Sequence, residues 1–279
     1  MKKHVETFVV ILFLLVLTIL DTGIVKAEQI VYITSYGGVK GTNMIRRYGD
    51  IYTFTGRIEA NLVIQKGGVV VDGSGNTLQG AGTGTGVDLS NGRGQDPSRT
   101  QIRNVTVKNI QIVNFGIGIN LVNSNNNSII GNYISDCKHC GINMGGGDFL
   151  IKHNTIENIP GAELGSIAIN FAFSGERIIT ENNFINPAIQ FYLSSGTTFD
   201  RNYWKEYNVP DEDWDGIGDI PYTVFKSGTV KLVDEHPLKS PVEMAVIPEF
   251  SVFAALGFFV VCSLFVFYNK VKLQKTEKA

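Results

Sequence analysis

Through the middle of the chain, apolar residues come in runs too short and too evenly broken for helical stripes. Triplets such as Ile110-Gln111-Ile112, which alternates apolar with polar, and Asn132-Tyr133-Ile134 recur, and Gly, Asn, Ser and Asp separate them. Alternation over three or four residues between such breakers predicts short strands joined by turns. The runs also repeat. An Asn-x-Ile/aromatic unit stands at Asn132-Tyr133-Ile134, Asn154-Thr155-Ile156, Asn183-Phe184-Ile185 and Asn202-Tyr203-Trp204, with Ile112 as an earlier member. From Ile112 its apolar position advances by 22, 22, 29 and 19 residues. A second unit, a small residue followed by Ile, falls between these at Gly118-Ile119, Gly141-Ile142, Ser166-Ile167 and Ala188-Ile189.

A period near 22 with two or three strands per repeat predicts the coils of a parallel β-helix. One coil cannot bury its apolar face alone, so stacking against the next supplies the core. Identical turn residues then stack as well. Asn132, Asn154 and Asn183 are expected to form an amide ladder, and Asn114, Asp136 and Asn158 a second. A leucine-rich repeat is excluded because leucine is sparse at the required offsets, and a propeller because its blades need about 40 residues.

Both ends depart from this pattern. Phe8–Leu20 is a 13-residue apolar run after Lys2 and Lys3, followed by Val25-Lys26-Ala27. It is too short to span a bilayer and reads as a secretory signal cleaved after Ala27. Phe250–Tyr268 is a 19-residue run without charge or proline, followed by Lys270, Lys272, Lys275 and Lys278. It is long enough to span, and the lysines place the tail in the cytoplasm and the rest outside. The expected organisation is a signal over 1–27, an N-terminal cap over 28–66 and the β-helix over 67–205. A C-terminal cap with an acidic loop and linker follows over 206–247, then an anchor over 248–269 and a basic tail over 270–279.

Glu28 to Asn269 carries 17 Lys+Arg against 23 Asp+Glu, a net charge of −6. No basic run or basic-aromatic patch interrupts it, which excludes a nucleic-acid surface. Neutral sugars, cations or basic partners suit it better. Three cysteines, one inside the apolar C-terminal run, exclude a disulfide scaffold.

The densest chemistry lies in Asp211-Glu212-Asp213-Trp214-Asp215-Gly216-Ile217-Gly218-Asp219. Carboxylates at alternate positions of a glycine-turned loop can converge on calcium, which takes six to eight oxygens. Asp211, Asp213, Asp215, the Ile217 carbonyl and Asp219 occupy ligand positions of an EF-type loop. Tyr222 stands where the bidentate glutamate would be, and no helices flank it. Cys137-Lys138-His139-Cys140 offers the soft and imidazole ligands that copper or zinc would take, with His153 from the next coil as a further candidate. Asp136 and Glu157, at nearly the same phase of adjacent coils, are the best carboxylate pair for glycoside chemistry. Asn104-Val105-Thr106 and Asn126-Asn127-Ser128 are acceptor tripeptides for asparagine-linked glycosylation.

Several segments now resemble a known family. Val69-Val70-Val71-Asp72-Gly73-Ser74-Gly75, Leu78-Gln79-Gly80 and Gly116-Ile117-Gly118-Ile119 are similar to coils of NosD-like right-handed parallel β-helix proteins. Asn202-Tyr203-Trp204, Asp215-Gly216-Ile217-Gly218-Asp219-Ile220-Pro221-Tyr222 and His236-Pro237-Leu238 resemble the closing segment of archaeal surface members, with His236 in place of the usual aromatic. The resemblance covers about Tyr32 to Leu238 and implies an all-β, right-handed solenoid. Ile247-Pro248-Glu249-Phe250 is similar to the Pro-Glu-Phe tails of archaeal surface proteins, which implies a sorting protease as a partner; a plain membrane anchor is the alternative. The expected function is therefore a single-pass membrane protein with its β-helix outside the cell. It would bind carbohydrate or surface-layer partners, or support the envelope, without catalysis. A polysaccharide lyase or glycoside hydrolase, and a copper-delivery accessory protein as the family name implies, are the alternatives.

Overall fold

The structure, a computed structural model, describes residues 29–90, 100–157, 159, 167–169, 175–185, 189–191, 196–228 and 230–243. The expected signal segment, membrane anchor and basic tail lie outside these residues, as does Asn158. Among the described residues no helix is long and apolar enough to cross a membrane.

Three sheets run the length of the solenoid. Sheet 1 has eight strands, from Val39–Lys40 and Ile30–Ile33 at one edge to Ile189–Phe191 at the other. Sheet 2 has ten, from Ile45–Tyr48 to Tyr222–Ser227, and sheet 3 has six, from Thr77–Gln79 to Tyr203–Trp204. Each coil gives one strand to sheet 2, one to sheet 3 and one to sheet 1, as Asn127–Ile130, Tyr133–Ser135 and Cys140–Met144 do. Pairing between coils is parallel throughout. The antiparallel pairs stand at the two ends, Ile30–Ile33 with Val39–Lys40, Ile45–Tyr48 with Ile51–Phe54, and Tyr222–Ser227 with Val230–Asp234. An open sheet edge invites pairing with other chains, and these short hairpins blunt it.

Stacking begins earlier than the expected boundary at Gly67. Ile30–Ile33 pairs in parallel with Asn61–Ile64, and Ile51–Phe54 with Val70–Asp72. Residues 29–66 thus join the coils and cap them at once. Their repeat is hidden in sequence because hairpins interrupt it.

The core is a set of columns, one residue per coil. Sheet 3 contributes Leu78, Ile112, Ile134, Ile156, Phe184 and Trp204; sheet 2 contributes Val71, Val107, Ile129, Ile151, Ile179 and Phe199. All are buried. Successive strand residues point to opposite faces, so one residue of slip turns a whole column outward. Such a slip separates the sequence pattern from the structure at one place. Phe184, not Ile185, enters the sheet 3 column, and Asn182, not Asn183, enters the ladder. The run Asn182-Asn183-Phe184-Ile185 offers two registers with the same residue types. Burying the larger Phe184, which stacks on Trp204 at 4.4 Å between ring centroids, decides between them.

The ladder itself links Asn132, Asn154, Asn182 and Asn202. The Asn132 backbone N–H and side-chain amide both donate to Asn154 Oδ1, at 2.9 and 3.0 Å. Asn154 repeats this to Asn182 at 2.9 Å, and Asn182 to Asn202 at 3.0 and 2.9 Å. The residue before each ladder position has a positive φ: Gly131, His153, Glu181 and Arg201. That left-handed turn costs most side chains about 1–2 kcal/mol, and the hydrogen-bonded ladder beside it offsets the cost. Asn114 and Asp136, from the second expected ladder, also occupy left-handed turns, with φ of 62 and 56.

Candidate functional site

After Trp204 the chain leaves the coils and closes the open end of the core. Trp204 stacks on Tyr222 with centroids 4.7 Å apart, and Tyr207 meets Tyr222 edge-on at 5.9 Å. Trp204, Tyr207 and Tyr222 therefore seal the solenoid, whereas Trp214 is 88% exposed. The Tyr207 hydroxyl donates to the Ile220 carbonyl at 2.5 Å. A Cβ on Gly218 would lie 2.1 Å from that hydroxyl, so only glycine fits there.

Between these contacts lies the acidic loop. Its local fold comes from carboxylates capping backbone amides. Gly216 N–H donates to Asp211 at 3.1 Å, Asp215 N–H to Asp213 at 3.3 Å and Ile217 N–H to Asp215 at 2.7 Å. Gly216 turns the chain at φ 85, where glycine carries no steric penalty. The result brings one carboxylate oxygen each of Asp211, Asp213 and Asp215 within 4.8 Å of one another. Among the described residues this is the one group of three or more acid, His or Cys side chains that converges so closely. Asp211 Oδ1 is buried and has no hydrogen-bond partner. Asp219 stands slightly apart, with its carboxylate accepting from Glu212 N–H at 2.8 Å. Ile217 forms an antiparallel bridge with Leu238, flanked by Gly218 N–H to Pro237 O at 2.8 Å and Lys239 N–H to Gly216 O at 3.0 Å. That pattern leaves the Ile217 carbonyl out of the ladder. Leu238 also pairs in parallel with Tyr203, so the loop is tied directly to the last strand of sheet 3.

One residue here gave no signal in sequence. Asp234, fully buried, terminates the asparagine ladder. Its Oδ2 accepts from the Asn202 backbone and side chain at 2.9 Å each and from Trp204 Nε1 at 3.0 Å. Burial pushes its carboxyl above the ordinary range, against these hydrogen bonds. Asp234 lies 32 residues after Asn202, well off the 22-residue period. It reaches the column only because the terminal hairpin joins the end of sheet 2, where Asp234 is the register partner of Phe199.

The soft-metal set does not assemble. Cys137 is buried in the hydrophobic core and its thiol is pushed up to about 12, chiefly by that burial. Cys140 is buried with its thiol on the Ile142 carbonyl at 3.0 Å, and His139 is exposed. Neither of the two forms a disulfide. His153 sits at a different corner of the coil, bonded to Glu181, which also meets Lys152 at 3.2 Å. Burial raises the Glu181 carboxyl, but the bonds from Lys152 and His153 outweigh it and hold the group low. The period alone could not separate inward from outward at the Cys137 turn. Iodoacetamide is expected to leave Cys137 and Cys140 unmodified in the native chain at neutral pH and to alkylate both in urea, as peptide mapping would read. A thiol must be reached by the reagent to react, and burial shields both, while it also raises the Cys137 thiol.

Asp136 and Glu157 do lie on neighbouring coils, since Ser135 and Glu157 are register partners. Each acid already has a partner. Glu157 accepts the Tyr133 hydroxyl, and Asp136 accepts the Ser135 hydroxyl at 2.9 Å. Burial, and then the bond to Glu157, raise the Tyr133 phenol, so Tyr133 stays a donor. Further along the same face, Asn183 is covered by the returning chain: its amide donates to Val242 O at 2.9 Å and accepts from Val242 N–H at 2.8 Å.

Comparison with known proteins agrees with this architecture. The family described as the right handed beta helix region matches residues 52–204, more than half of the chain. The match ends at Trp204, before the acidic loop. Comparison with curated proteins and with solved structures returns no match. With its coils stacked in parallel over the matched span, this chain belongs to the right-handed β-helix family.

Proposed function

We propose that this chain is a membrane-anchored extracellular β-helix protein whose acidic loop binds calcium and thereby locks the C-terminal end of the solenoid. The observation that carries the calcium reading is the buried, unpartnered Asp211 Oδ1 among three carboxylates within 4.8 Å. A buried carboxylate oxygen without a donor is costly, and a hard cation relieves it. Asp211, Asp213 and Asp215 would supply side-chain oxygens, with the Ile217 carbonyl and, after a small shift, Asp219 completing the shell. Because the loop is bridged to Leu238 and through it to Tyr203, the ion would fasten the last rung.

The role beyond this end is non-catalytic, in binding cell-surface carbohydrate or surface-layer partners. The engagement of Glu157 by Tyr133 and of Asp136 by Ser135 supports it, because neither acid is left poised for proton transfer. The anchor over 248–269, the sorting protease at Pro248-Glu249-Phe250 and membership of the NosD-like archaeal-type group belong to the same reading, and the sequence resemblance supports them. Buried Cys137 and Cys140 argue against copper delivery.

Calcium at a hundred times its dissociation constant is expected to stabilise the chain by about 2.7 kcal/mol. For a domain of this size that is on the order of 5–10 °C in Tm. Calorimetry with calcium and with chelator measures it, and Asp213→Ala should abolish the difference. Equal melting temperatures under both conditions would remove calcium from the account. A glycan panel separates the wider readings: binding without new reducing ends or unsaturated products fits the proposal, and turnover fits a lyase or hydrolase.

A further inference from the structure

The chain holds two Asn-x-Ser/Thr tripeptides, Asn104-Val105-Thr106 and Asn126-Asn127-Ser128, 22 residues apart. The fold lays one on the other. Thr106 and Ser128 are register partners in sheet 2. Asn104 N–H donates to Asn126 O at 3.0 Å and Ser128 N–H to Val105 O at 2.8 Å. Asn126 Nδ2 donates to Asn104 Oδ1 at 2.6 Å. Both asparagines are exposed, and both take the left-handed turn that leads into the sheet, with φ of 57 and 50. The middle residues Val105 and Asn127 are buried, so strand alternation turns the acceptor and the hydroxyl of each tripeptide outward.

We infer that this corner is a site of asparagine-linked glycosylation, with Asn104 and Asn126 forming one sugar-bearing patch on adjacent rungs. The inference rests on the extracellular reading above. Its chemical basis is the contrast with the other stacked asparagines. Asn132, Asn154, Asn182 and Asn202 are buried, spend their amide hydrogens on backbone carbonyls and the next ladder oxygen, and are followed two residues later by Ile134, Ile156, Phe184 and Trp204. At the corner the amides stay open. Asn104 takes part through its oxygen, and Asn126 uses one of its two Nδ2 hydrogens. A sugar on either nitrogen replaces one hydrogen and leaves the bond between them, and both backbone ladders, intact.

The donor class is a lipid-linked oligosaccharide. Asn Nδ2 attacks C1 of its first sugar, the C1–N bond forms, the C1–O bond to the lipid phosphate breaks, and the displaced amide proton leaves to solvent.

The test is glycopeptide mass spectrometry on the full chain isolated from the membranes of its native cells. A glycan mass on Asn104, on Asn126 or on both is expected. It should vanish in Thr106→Ala/Ser128→Ala, which keeps both asparagines, while the melting temperature stays unchanged. Bare tripeptides in the wild-type chain, or a glycan that persists in the double variant, would overturn the site. Labelling intact cells with a membrane-impermeant amine reagent separates the two readings. A labelled but bare chain removes the glycan alone, and an unlabelled chain removes the extracellular reading and the glycan with it.

Discussion

Asn154→Ala is expected to lower the unfolding free energy by about 3–5 kcal/mol, summing roughly 1–3 kcal/mol for each buried group left unpaired. Asn154 Oδ1 is the acceptor for the Asn132 backbone N–H, and its amide donates to Ile129 O at 2.8 Å and Lys152 O at 3.0 Å. The Asn132 N–H and the Ile129 carbonyl face the interior, where water cannot replace the lost group. The damage passes to neighbours, because in a solenoid each rung is held only by the ones above and below. Asn183→Ala is the informative control. Asn183 bonds Thr155 and Val242 from the outer face, so the returning chain can lift and hydrate its own groups. Its expected cost is about 1–2 kcal/mol. Urea unfolding followed by circular dichroism compares the pair, and a larger loss at Asn183 would refute the ladder register described above.

Asp234→Ala should cost a similar amount, about 3–4 kcal/mol, by stranding Asn202 N–H and Trp204 Nε1 in the core at roughly 1–3 kcal/mol for each buried donor left unpaired, offset in part by removal of a buried carboxyl. Asp234→Asn keeps an acceptor of the same shape and should cost far less. The two also differ in pH dependence. The folded chain holds the Asp234 proton more tightly than the unfolded chain, because burial raises this carboxyl. Its contribution to stability is therefore fully present below the ordinary aspartate range and is lost as pH rises through the raised folded value. Melting curves across that window should show a wild-type decline that Asp234→Asn removes. A decline of equal depth in both proteins would place its origin elsewhere.

Much of the architecture was legible because a solenoid writes its geometry into one dimension. The spacing of Ile112, Ile134 and Ile156 is the length of a coil, and their structural register follows it residue for residue. Legibility stopped where one spacing admitted two answers. At Asn182-Asn183-Phe184-Ile185 both registers offered an asparagine and an apolar residue, and only packing on Trp204 distinguished them. The Cys137 to Cys140 segment looked like a ligand set because spacing carries no information about which side of a turn faces the core. The acidic loop stood out by its alternating aspartates, but the burial of Asp211 Oδ1 depends on the surrounding chain and could not be read locally.

Sequence by itself determined the parallel β-helix, its coil length, most of its inward residues and the position of the acidic turn. Each depends on a periodicity or a local turn preference that the chain states directly. Tertiary structure alone decided how the two ends close. The residues before Gly67 entered the stack through pairings across hairpins. Asp234 came to terminate the ladder, Leu238 came to bridge Tyr203 and Ile217, and Val242 came to cover Asn183. These contacts join segments at no fixed separation, so no repeat announces them. They form because the last rung of a solenoid has open backbone groups and an uncovered core that some part of the chain must satisfy.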